Sequence, residues 1–282
     1  MRRHPTAPPA RIGSAAGTEL ARLAELVRGA RSVVALTGAG ISVPSGIPDF
    51  RTPESGLWES VDPMQVAHID AFRSDPVRFW GFYGERFATL GAKEPNGAHG
   101  ALVAMERAGM LEAVITQNID MLHRKAGTRE LVEVHGSIES CSCPSCGGSI
   151  SREQAQARLL QDALGVPRCE RCGGPLKPDV VLFGEMLAEE PLGRARELCE
   201  RADLLLCIGS SLEVHPVAGL PRLTHDSGGA VAILTRGPTP LDGLASVRLS
   251  GDVVDEMQGL LGALGIASAA AGKGDRASLA GP

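Results

Sequence analysis

The chain has 282 residues, of which 43% are hydrophobic and 22% are charged, an ordinary globular composition and enough chain for one domain with an insertion or for two small domains. Its net charge of −5 excludes a general attraction to nucleic acid or to an anionic membrane surface. No apolar run approaches the roughly 20 residues that a membrane span needs. We therefore expect neither nucleic acid nor a membrane among its partners.

The two ends of the chain differ from the rest in composition. Residues 1–17 are basic but lack an apolar core, so they are not a secretory signal. We predict a disordered tail there, although its arginines and lack of acids faintly resemble a transit peptide. Residues 267–282, rich in Ala, Gly and Ser, are predicted to be a second tail. We expect a cytoplasmic protein with one main domain at 18–266, whose cysteines are thiols or metal ligands rather than disulfides.

Strands and helices alternate along this domain. A helix capped by Thr18 is predicted to end at Gly29, and further helices are predicted from Asn96 through Met105 and at 189–201. Apolar strands are predicted at 33–37, 111–116, 131–134, 203–208, 230–234 and near 246–250. The alternation predicts an α/β fold with a doubly wound, Rossmann-like, mostly parallel sheet.

A helical insertion is predicted at about 52–95, between the first strand and the next strand–helix unit. Its stretch from 57 to 94 is rich in Phe, Trp and Arg and indicates two or three short helices. The insertion follows the carboxyl end of a strand, where doubly wound sheets bind ligands. We therefore expect it to form a lid over a ligand.

A glycine turn, Gly38-Ala39-Gly40, ends the first strand. Residues without Cβ atoms allow backbone amides to approach a pyrophosphate closely, although the third glycine of the dinucleotide fingerprint is replaced by Val43. This short pattern alone occurs by chance in many strand-to-loop turns. The turn-rich segment that follows ends in Asp49, Phe50 and Arg51, and it is predicted to fold over a bound cofactor.

Two identical C-x-x-C-G-G motifs place Cys143 and Cys146 in one pair and Cys169 and Cys172 in another. Four thiolates at about 2.3 Å satisfy tetrahedral Zn²⁺ and leave no open position, so the metal is predicted to be structural. The zinc module is predicted at about 137–180, and its arginines lack the interleaved aromatic residues of a nucleic-acid site. The alternative is four unrelated buried thiols.

The remaining cysteines are not expected to bind the metal. Cys141 is a rival zinc ligand, but its ligation would break the pair spacing, so we expect it to stay free. Cys199 and Cys207 are predicted to be core residues.

Polar motifs follow two other strands. Gln117-Asn118-Ile119-Asp120 stands where a strand ends and a helix begins, and either caps the helix or converges on a cofactor amide. His135 follows another strand and is either a packed residue or a base. The other six histidines have no motif context.

These motifs together resemble the sirtuins, a family of NAD-dependent protein-lysine deacylases. The resemblance covers roughly residues 18–262 and rests on several motifs in the family's order. They are GAGIS with SGIPDFR, the Gln117–Asp120 motif, His135-Gly136, the two Cys pairs, Pro178–Glu185 and Gly209-Ser210-Ser211-Leu212.

The resemblance implies a role for each motif. Gly38, Ala39 and Gly40 would hold the pyrophosphate of NAD⁺, with Asp49, Phe50 and Arg51 closing over the nicotinamide side. Gln117 and Asn118 would reach the nicotinamide ribose, Ile119 and Asp120 would hold the carboxamide, and Gly209, Ser210 and Ser211 would contact phosphate and adenosine ribose. His135 would be the general base, with Asn118 and Asp120 as further catalytic residues, and Val181, Phe183, Gly184 and Glu185 would pair with a substrate peptide as an added strand.

The reaction implied by the resemblance is group transfer rather than hydride transfer. The carbonyl oxygen of an acyl-lysine attacks C1′ of the nicotinamide ribose, and the products are free lysine, nicotinamide and O-acyl-ADP-ribose. The expected partners are acylated lysine peptides and proteins, with NAD as co-substrate and one structural zinc per chain.

Two positions near the adenosine depart from the family or are uncertain in register. Thr235 stands where the family usually has an Asn that contacts the adenosine ribose, and Thr has a shorter reach. Val253 is predicted to line the adenine.

The identity of the acyl group depends on one short motif. Tyr83 and Arg86 resemble the Tyr-x-x-Arg of sirtuins that remove succinyl and malonyl groups, in which the phenol and the guanidinium bind the distal carboxylate. The alternative is an ordinary i, i+3 pair on a helix surface.

Other functions stay open at this point. An NAD-dependent dehydrogenase with a structural zinc would reduce the nicotinamide, and a zinc-containing binding module would have no activity to lose. Within the family, protein mono-ADP-ribosyl transfer is a further alternative.

Overall fold

The structure is a computed structural model that describes residues 14–48 and 63–267. Six parallel strands form its larger sheet: β1 (Val33–Thr37), β2 (Ala113–Thr116), β3 (Leu131–Glu133), β7 (Leu204–Ile208), β8 (Ala230–Leu234) and β9 (Val247–Leu249). Their order across the sheet is β3-β2-β1-β7-β8-β9. The predicted doubly wound, Rossmann-like α/β sheet is confirmed, and the strands lie within the predicted segments, two of them shorter by two residues.

Helices cover both faces of this sheet. Helices α1 (Ser14–Gly29), α5 (Gly97–Arg107) and α10 (Val253–Leu264) pack on one face, and α8 (Glu189–Arg201) and α9 (Leu220–Asp226) pack on the other. Every residue of β1, β2 and β7 is buried, as expected for parallel strands enclosed on both sides. Successive residues of β1 point to opposite faces, so Val33 and Ala35 enter one core cluster while Val34 and Leu36 enter the other.

The first helix begins earlier than predicted. Helix α1 starts at Ser14, four residues before the expected cap at Thr18, and ends at Gly29 as predicted. The alanines at 15 and 16 have high helix propensity, which favours extension of the helix beyond Thr18 towards the amino terminus. The predicted boundary between a tail and the domain at residues 17 and 18 therefore falls inside a helix.

The predicted insertion at about 52–95 contains three α-helices in its described part: α2 (Pro63–Val66), α3 (Ile69–Ser74) and α4 (Pro76–Gly91). The prediction of short helices is wrong for α4, which has 16 residues. Asp75 caps this helix by accepting from the amide of Arg78, and Pro76 fits its first turn because no amide is needed there.

A second, small sheet is formed by the segment of chain between β3 and β7. Strands β4 (Gly136–Ser142), β5 (Ser149–Ser151) and β6 (Lys177–Val180) pair antiparallel in the order β5-β4-β6. Helix α7 (Arg152–Gln161) begins at a capping box, in which Ser151 and Gln154 each bind the other's backbone amide. The four paired cysteines lie in the loops between β4 and β5 and between α7 and β6, and the sheet, this helix and these loops are called the zinc module below.

Helix α4 packs directly against the zinc module. The indole nitrogen of Trp80 donates to the carbonyl oxygen of Leu176 at 2.9 Å. At Gly84 a Cβ atom would lie 3.1 Å from a methyl carbon of Leu159, so the glycine allows α7 to approach. The helical insertion and the zinc module thus share one hydrophobic cluster that also receives Tyr83, Ile119 and Met121.

None of the helices in the described part of the chain combines the length and the apolar character that crossing a membrane requires. The fold instead gathers the polar motifs at one edge. Gly38 follows β1, Gln117 follows β2 and Gly209 follows β7, and these three strands are neighbours in the sheet.

Candidate active site

Two glycine segments interlock at the carboxyl ends of β1 and β7. A Cβ atom at Gly38 or Gly40 would lie 2.9 or 2.8 Å from the carbonyl oxygen of Gly209, so neither position accepts a side chain. The amide of Gly40 donates to Gly209 at 2.8 Å, and the amide of Gly38 donates to Ile208 at 3.0 Å. Gly209 itself has a φ of +61°.

This packing gives a structural reason for the glycines. The amides of Gly38 and Gly40 are bound within the protein, and the approach of backbone amides of this loop to a pyrophosphate stays a prediction. The glycines are required because two backbones approach each other here. Ala39 lies between them at the start of a 3-10 turn, Ala39–Ile41.

Polar side chains after β2 bind directly to this loop. The side-chain amide of Asn118 donates to the carbonyl of Gly38 at 3.0 Å and to the hydroxyl of Ser42 at 3.2 Å. The Ser42 hydroxyl in turn donates to Asp120 at 2.6 Å. The side chain of Gln117 donates to the hydroxyl of Ser210 at 2.9 Å, which ties the ends of β2 and β7 together.

Asp120 accepts two hydrogen bonds within the protein. One carboxylate oxygen accepts from the amide of Leu122 at the start of α6 (Leu122–Ala126), and the other accepts from Ser42. Burial raises the pKa of this carboxyl above its ordinary value, and its hydrogen bonds oppose that shift. Asp120 therefore binds the first amide of α6 and at the same time fixes the loop after β1, and its contact with a cofactor amide stays a prediction. Ile119 packs partly against the cluster that contains α4.

His135 lies half-buried between the segment after β2 and the zinc module. Its Nδ1 is 2.9 Å from the carbonyl oxygen of Gln117, and because a carbonyl only accepts, Nδ1 carries the proton. In the neutral ring the lone pair is then on Nε2. Burial lowers the pKa of His135 below its usual 6.5, although the bond to Gln117 acts in the other direction.

The chain leaves His135 through a tightly packed glycine. Gly136 has a φ of +74°, and a Cβ there would lie 2.1 Å from the carbonyl oxygen of Asp179. The carbonyl of His135 accepts from the amide of Val181 at 2.8 Å. The residue after β3 is thus joined to the segment after β6.

The predicted substrate segment, 181–185, already pairs with the protein at some points. The amide of Phe183 donates to Ala67 and its carbonyl accepts from Ile69, both at 2.9 Å. Gly184 lies exposed beside the ring of His68, and Phe183 is 41% exposed. A peptide strand would therefore pair with backbone groups of this segment other than those of Phe183.

Glu185 shapes the same segment from within. Its carboxylate accepts from the amide of Leu182 at 2.9 Å and lies 3.0 Å from the Lys177 ammonium group. Lys177 also donates to the carbonyl of Val180 at 2.7 Å. The predicted substrate residue Glu185 thus has a part in holding the loop.

The predicted adenosine contacts lie on neighbouring strands and helices. Gly209, Ser210 and Ser211 follow β7, and the Ser210 hydroxyl accepts from the amide of Leu212. Thr235 follows β8, with its amide bound to Leu249, and Val253 is the first residue of α10. Asp49, Phe50 and Arg51 lie outside the described residues.

Tyr83 and Arg86 occupy the predicted i, i+3 positions on α4. Tyr83 stacks on Phe87 with ring centroids 5.0 Å apart, and burial raises its pKa to about 12. The Arg86 guanidinium carbon lies 3.7 Å from the centre of the Phe82 ring, and one nitrogen donates to the Phe82 carbonyl at 2.6 Å. The Arg86 cation is close enough to the phenol of Tyr83 to oppose the rise in its pKa.

The four paired cysteines meet at one point in the zinc module. Cys143 and Cys172 have sulfurs 3.4 Å apart, Cys146 and Cys169 have sulfurs 3.5 Å apart, and all four lie within 4.8 Å of one another. Tetrahedral zinc with bonds of about 2.3 Å places its sulfur ligands about 3.8 Å apart, within this range. The donor set fits a structural zinc. Cys141 lies outside the cluster, as predicted, and Cys199 and Cys207 are core residues.

Sequence reasoning missed three polar residues at this site. Ser42 lies inside the GAGIS motif and connects Asn118 with Asp120. His99 and His123 were assigned no motif context, yet both are buried beside the strand ends. Their available signal was position: His99 stands at the third residue of a helix capped by Asn96, where a capping box expects Glu or Gln.

Comparison with known proteins gives a consistent result. The model of the Sir2 family matches residues 38–216. A protein named NAD-dependent protein deacylase from Thermococcus sibiricus is 41% identical over 84% of this chain and 92% of its own length. A protein named NAD-dependent protein deacetylase from Sulfolobus acidocaldarius is 43% identical over 81% of this chain and 88% of its own length.

Solved structures give the same result for the fold. A structure described as Sir2 with a p53 peptide and NAD⁺ has a TM-score of 0.81 and 39% identity, covering 87% of this chain and 98% of that chain. A Sir2 variant with a deacetylated p53 peptide and 3′-O-acetyl ADP ribose has a TM-score of 0.83 and 39% identity, with the same coverage.

Proposed function

The chain belongs to the Sir2 family of NAD-dependent protein deacylases, and we propose that it deacylates lysine side chains with His135 as the general base. One observation carries the assignment of residues. The polar side chains after β2 and the glycine turns after β1 and β7 converge beside an imidazole whose Nε2 carries its lone pair.

His135 is suited to accept a proton at neutral pH. Its Nδ1–H is held by the Gln117 carbonyl, and burial keeps the ring neutral by lowering its pKa. NAD⁺, when bound, supplies the ribose carbon that receives the acyl oxygen as nicotinamide leaves. With NAD⁺ and an acyl-lysine bound, Nε2 of His135 would take the proton of a ribose hydroxyl and would so activate that oxygen towards the acyl carbon.

The residues at the strand ends would hold NAD⁺. Gln117 and Asn118 bind the nicotinamide ribose and Ile119 and Asp120 the carboxamide, which is supported by their common position after β2. The remaining contacts are those expected from the resemblance, with Gly38, Ala39, Gly40, Gly209, Ser210 and Ser211 at the phosphates and ribose, and Thr235 and Val253 at the adenosine.

Acylated lysine peptides are the proposed substrates. Related Sir2 structures are described as bound to an acetylated peptide and to a p53 peptide. In this chain the half-buried Val181, whose amide binds His135, places segment 181–185 next to the base. Phe183 and Gly184 are exposed there, which supports a role in peptide contact.

Mass spectrometry of acetylated and succinylated lysine peptides incubated with NAD⁺ tests the proposal. We expect deacylated peptide, nicotinamide and O-acyl-ADP-ribose in equal amounts, and none of them with His135→Ala. Formation of reduced nicotinamide with an alcohol would indicate a dehydrogenase instead. Covalent labelling of a protein by NAD⁺ without peptide deacylation would indicate ADP-ribosyl transfer.

We further propose a preference for acidic acyl groups such as succinyl and malonyl. Tyr83 belongs to the same hydrophobic cluster as Ile119 and Met121, which follow Asn118 in the chain, so α4 borders the active site. A phenol and a guanidinium are the groups that suit a carboxylate. Arg86 lies over the Phe82 ring, and binding of an acidic acyl group would exchange that contact for the carboxylate.

Replacement of Arg86 tests this preference. We expect Arg86→Met to lower kcat/KM for a succinylated peptide by about 100-fold, because a charged hydrogen-bonded pair contributes about 3 kcal/mol, and to leave the acetylated peptide within threefold. Arg78→Met removes an exposed guanidinium from the same helix and should change neither value. An equal loss on both peptides with Arg86→Met would contradict the acidic pocket.

A further inference from the structure

We propose that two buried histidines, His99 on α5 and His123 on α6, are positioning residues that set the geometry of Asn118 through one chain of hydrogen bonds. The inference rests on the proposed function, in which Asn118 binds the nicotinamide ribose. The side chains are 0% and 2% exposed, and their ring centroids lie 4.8 Å apart. No role in NAD⁺ or peptide contact is assigned to either ring.

A fixed backbone donor determines the tautomer of His99. The amide of Asn96 donates to Nδ1 of His99 at 3.4 Å, so Nδ1 carries the lone pair. A neutral imidazole has one N–H, which is therefore on Nε2. Burial lowers the pKa of His99 to about 4, so the ring is neutral at pH 7.

His123 continues from there to the strand ends. Its Nε2 lies 2.9 Å from the hydroxyl of Thr37, the last residue of β1, and that hydroxyl lies 2.8 Å from the hydroxyl of Thr116, the last residue of β2. The Thr116 hydroxyl accepts from the amide of Asn118 at 3.1 Å. The distances alone do not fix which group donates in the His123–Thr37 and Thr37–Thr116 hydrogen bonds.

The two remaining ring nitrogens decide the direction. Nε2 of His99 and Nδ1 of His123 are fully buried, and neither has a hydrogen-bond partner within residues 14–48 and 63–267. His99 offers a donor there, and the ring whose centroid lies 4.8 Å away would accept it if Nδ1 of His123 carries a lone pair. His123 is then also protonated at Nε2 and donates to Thr37, which donates to Thr116. From His99 to Thr116 every donor then runs one way, and the Thr116 hydroxyl accepts both from Thr37 and from the amide of Asn118.

This series of hydrogen bonds joins two sets of contacts that hold the loop after β1. On one side, the side chain of Asn118 donates to the carbonyl of Gly38 and to Ser42. On the other side, the side chain of Asn96 donates to the carbonyl of Ile41 at 2.8 Å and to the hydroxyl of Ser45 at 3.0 Å. The histidine pair connects Asn96 with Asn118 through the protein interior and fixes the position of these two contacts relative to each other.

Two-bond ¹H–¹⁵N NMR on the full chain at pH 7 reads both tautomers directly, with His99→Gln and His123→Gln used for assignment. We expect both rings to be neutral with the proton on Nε2. A proton on Nδ1 of either ring, or a charged ring, overturns the proposal. This measurement needs a folded wild-type protein and no activity, so it decides even if a buried variant fails to fold.

Matched variants of Thr37 test the functional consequence. Thr37→Val removes the hydroxyl at nearly constant shape, and we expect kcat for an acetylated peptide to fall about fivefold, the factor typical of one neutral hydrogen bond, with the KM for the peptide within twofold. Thr37→Ser keeps the hydroxyl and should retain kcat within twofold. Equal kcat values for the two variants would overturn the proposal.

Matched variants of His123 test the upstream step. The side-chain amide of Gln reaches the position of Nε2 and that of Asn does not, so His123→Gln should restore most of the kcat that His123→Asn loses. The double variant His123→Asn/Thr37→Val should lose no more kcat than the larger of the two single losses, because both substitutions interrupt the same series of hydrogen bonds. If the fold-losses in kcat of the two single variants multiply in the double variant, the proposal is contradicted. A wild-type protein that deacylates no peptide refutes the proposed function instead, and leaves the tautomer result to be judged separately.

Discussion

Two opposing interactions set the acidity of His135. Burial disfavours the charged imidazolium, while the hydrogen bond from Nδ1–H to the Gln117 carbonyl favours it. Burial dominates, so the folded protein has a base that stays neutral below the usual pKa of about 6.5. The Gln117 carbonyl contributes chiefly by fixing which nitrogen is available.

The pH dependence of deacylation follows from the sign of that shift. A general base acts when it is unprotonated, so kcat/KM should be constant at neutral pH and should fall as the pH decreases through the lowered pKa, at a value below 6.5. Stopped assays with an acetylated peptide between pH 4.5 and 8 measure this limb. Thr235→Asn, at a distant predicted adenosine contact, should leave its midpoint unchanged. A midpoint above 6.5 would contradict the assignment.

Single residues differ in how well the sequence predicts their partners. The GAGIS motif and the residues after β2 were recognisable because they fall within contiguous motifs. His99 and His123 were not, because their partnership joins α5 to α6 and depends on ring contact across the fold. The glycines at 38 and 40 were recognised, but the reason for them, packing against Gly209, requires knowledge of which strands are neighbours.

At the scale of elements, the start of β4 is tightly constrained at Gly136. Gly136→Ala would require a φ of +74° for a residue with a Cβ and would drive that atom into the Asp179 carbonyl. We expect it to lower the free energy of unfolding by about 3 kcal/mol or more, measured by urea titration. Gly109→Ala, at a φ of +70° with open space around its Cβ, is the control and should cost about 1 kcal/mol. Equal losses would mean that the clash is relieved.

Strand positions were predictable because parallel strands buried on both faces have continuous apolar sequences. Helix α4 was harder to delimit, since glycines at 81, 84 and 91 interrupt its helical pattern. The contact with α7 explains the glycine at 84, which leaves room for Leu159. Tertiary packing thus overrides local propensity in this helix.

At the scale of the molecule, the zinc module is predicted to depend on its metal. Cys172→Ser removes one of the four ligands, and we expect the bound zinc to fall from one per chain to near zero. Stability should fall with it, because apparent zinc binding of about 10 kcal/mol or more is part of the folding free energy. The thermal midpoint should drop by at least about 10 °C. Metal analysis and calorimetry measure the two effects.

Cys141→Ala is the matched control for the zinc prediction. Cys141 is buried in the same module but lies outside the four-sulfur cluster, so the variant should keep its zinc and lose only about 1–2 kcal/mol of stability. A Cys172→Ser protein that retains one zinc, or a Cys141→Ala protein that loses it, would contradict the assignment of ligands.

The chain passes from the large sheet to the small one between Glu133 and Gly136, and His135 lies on that crossing. Its ring is tied to one sheet through Gln117, and its own carbonyl is tied to the other through Val181. A change in the angle between the two sheets would therefore reorient the imidazole. If His135 is the base, as proposed, the position of its Nε2 depends on how the small sheet packs against the large one.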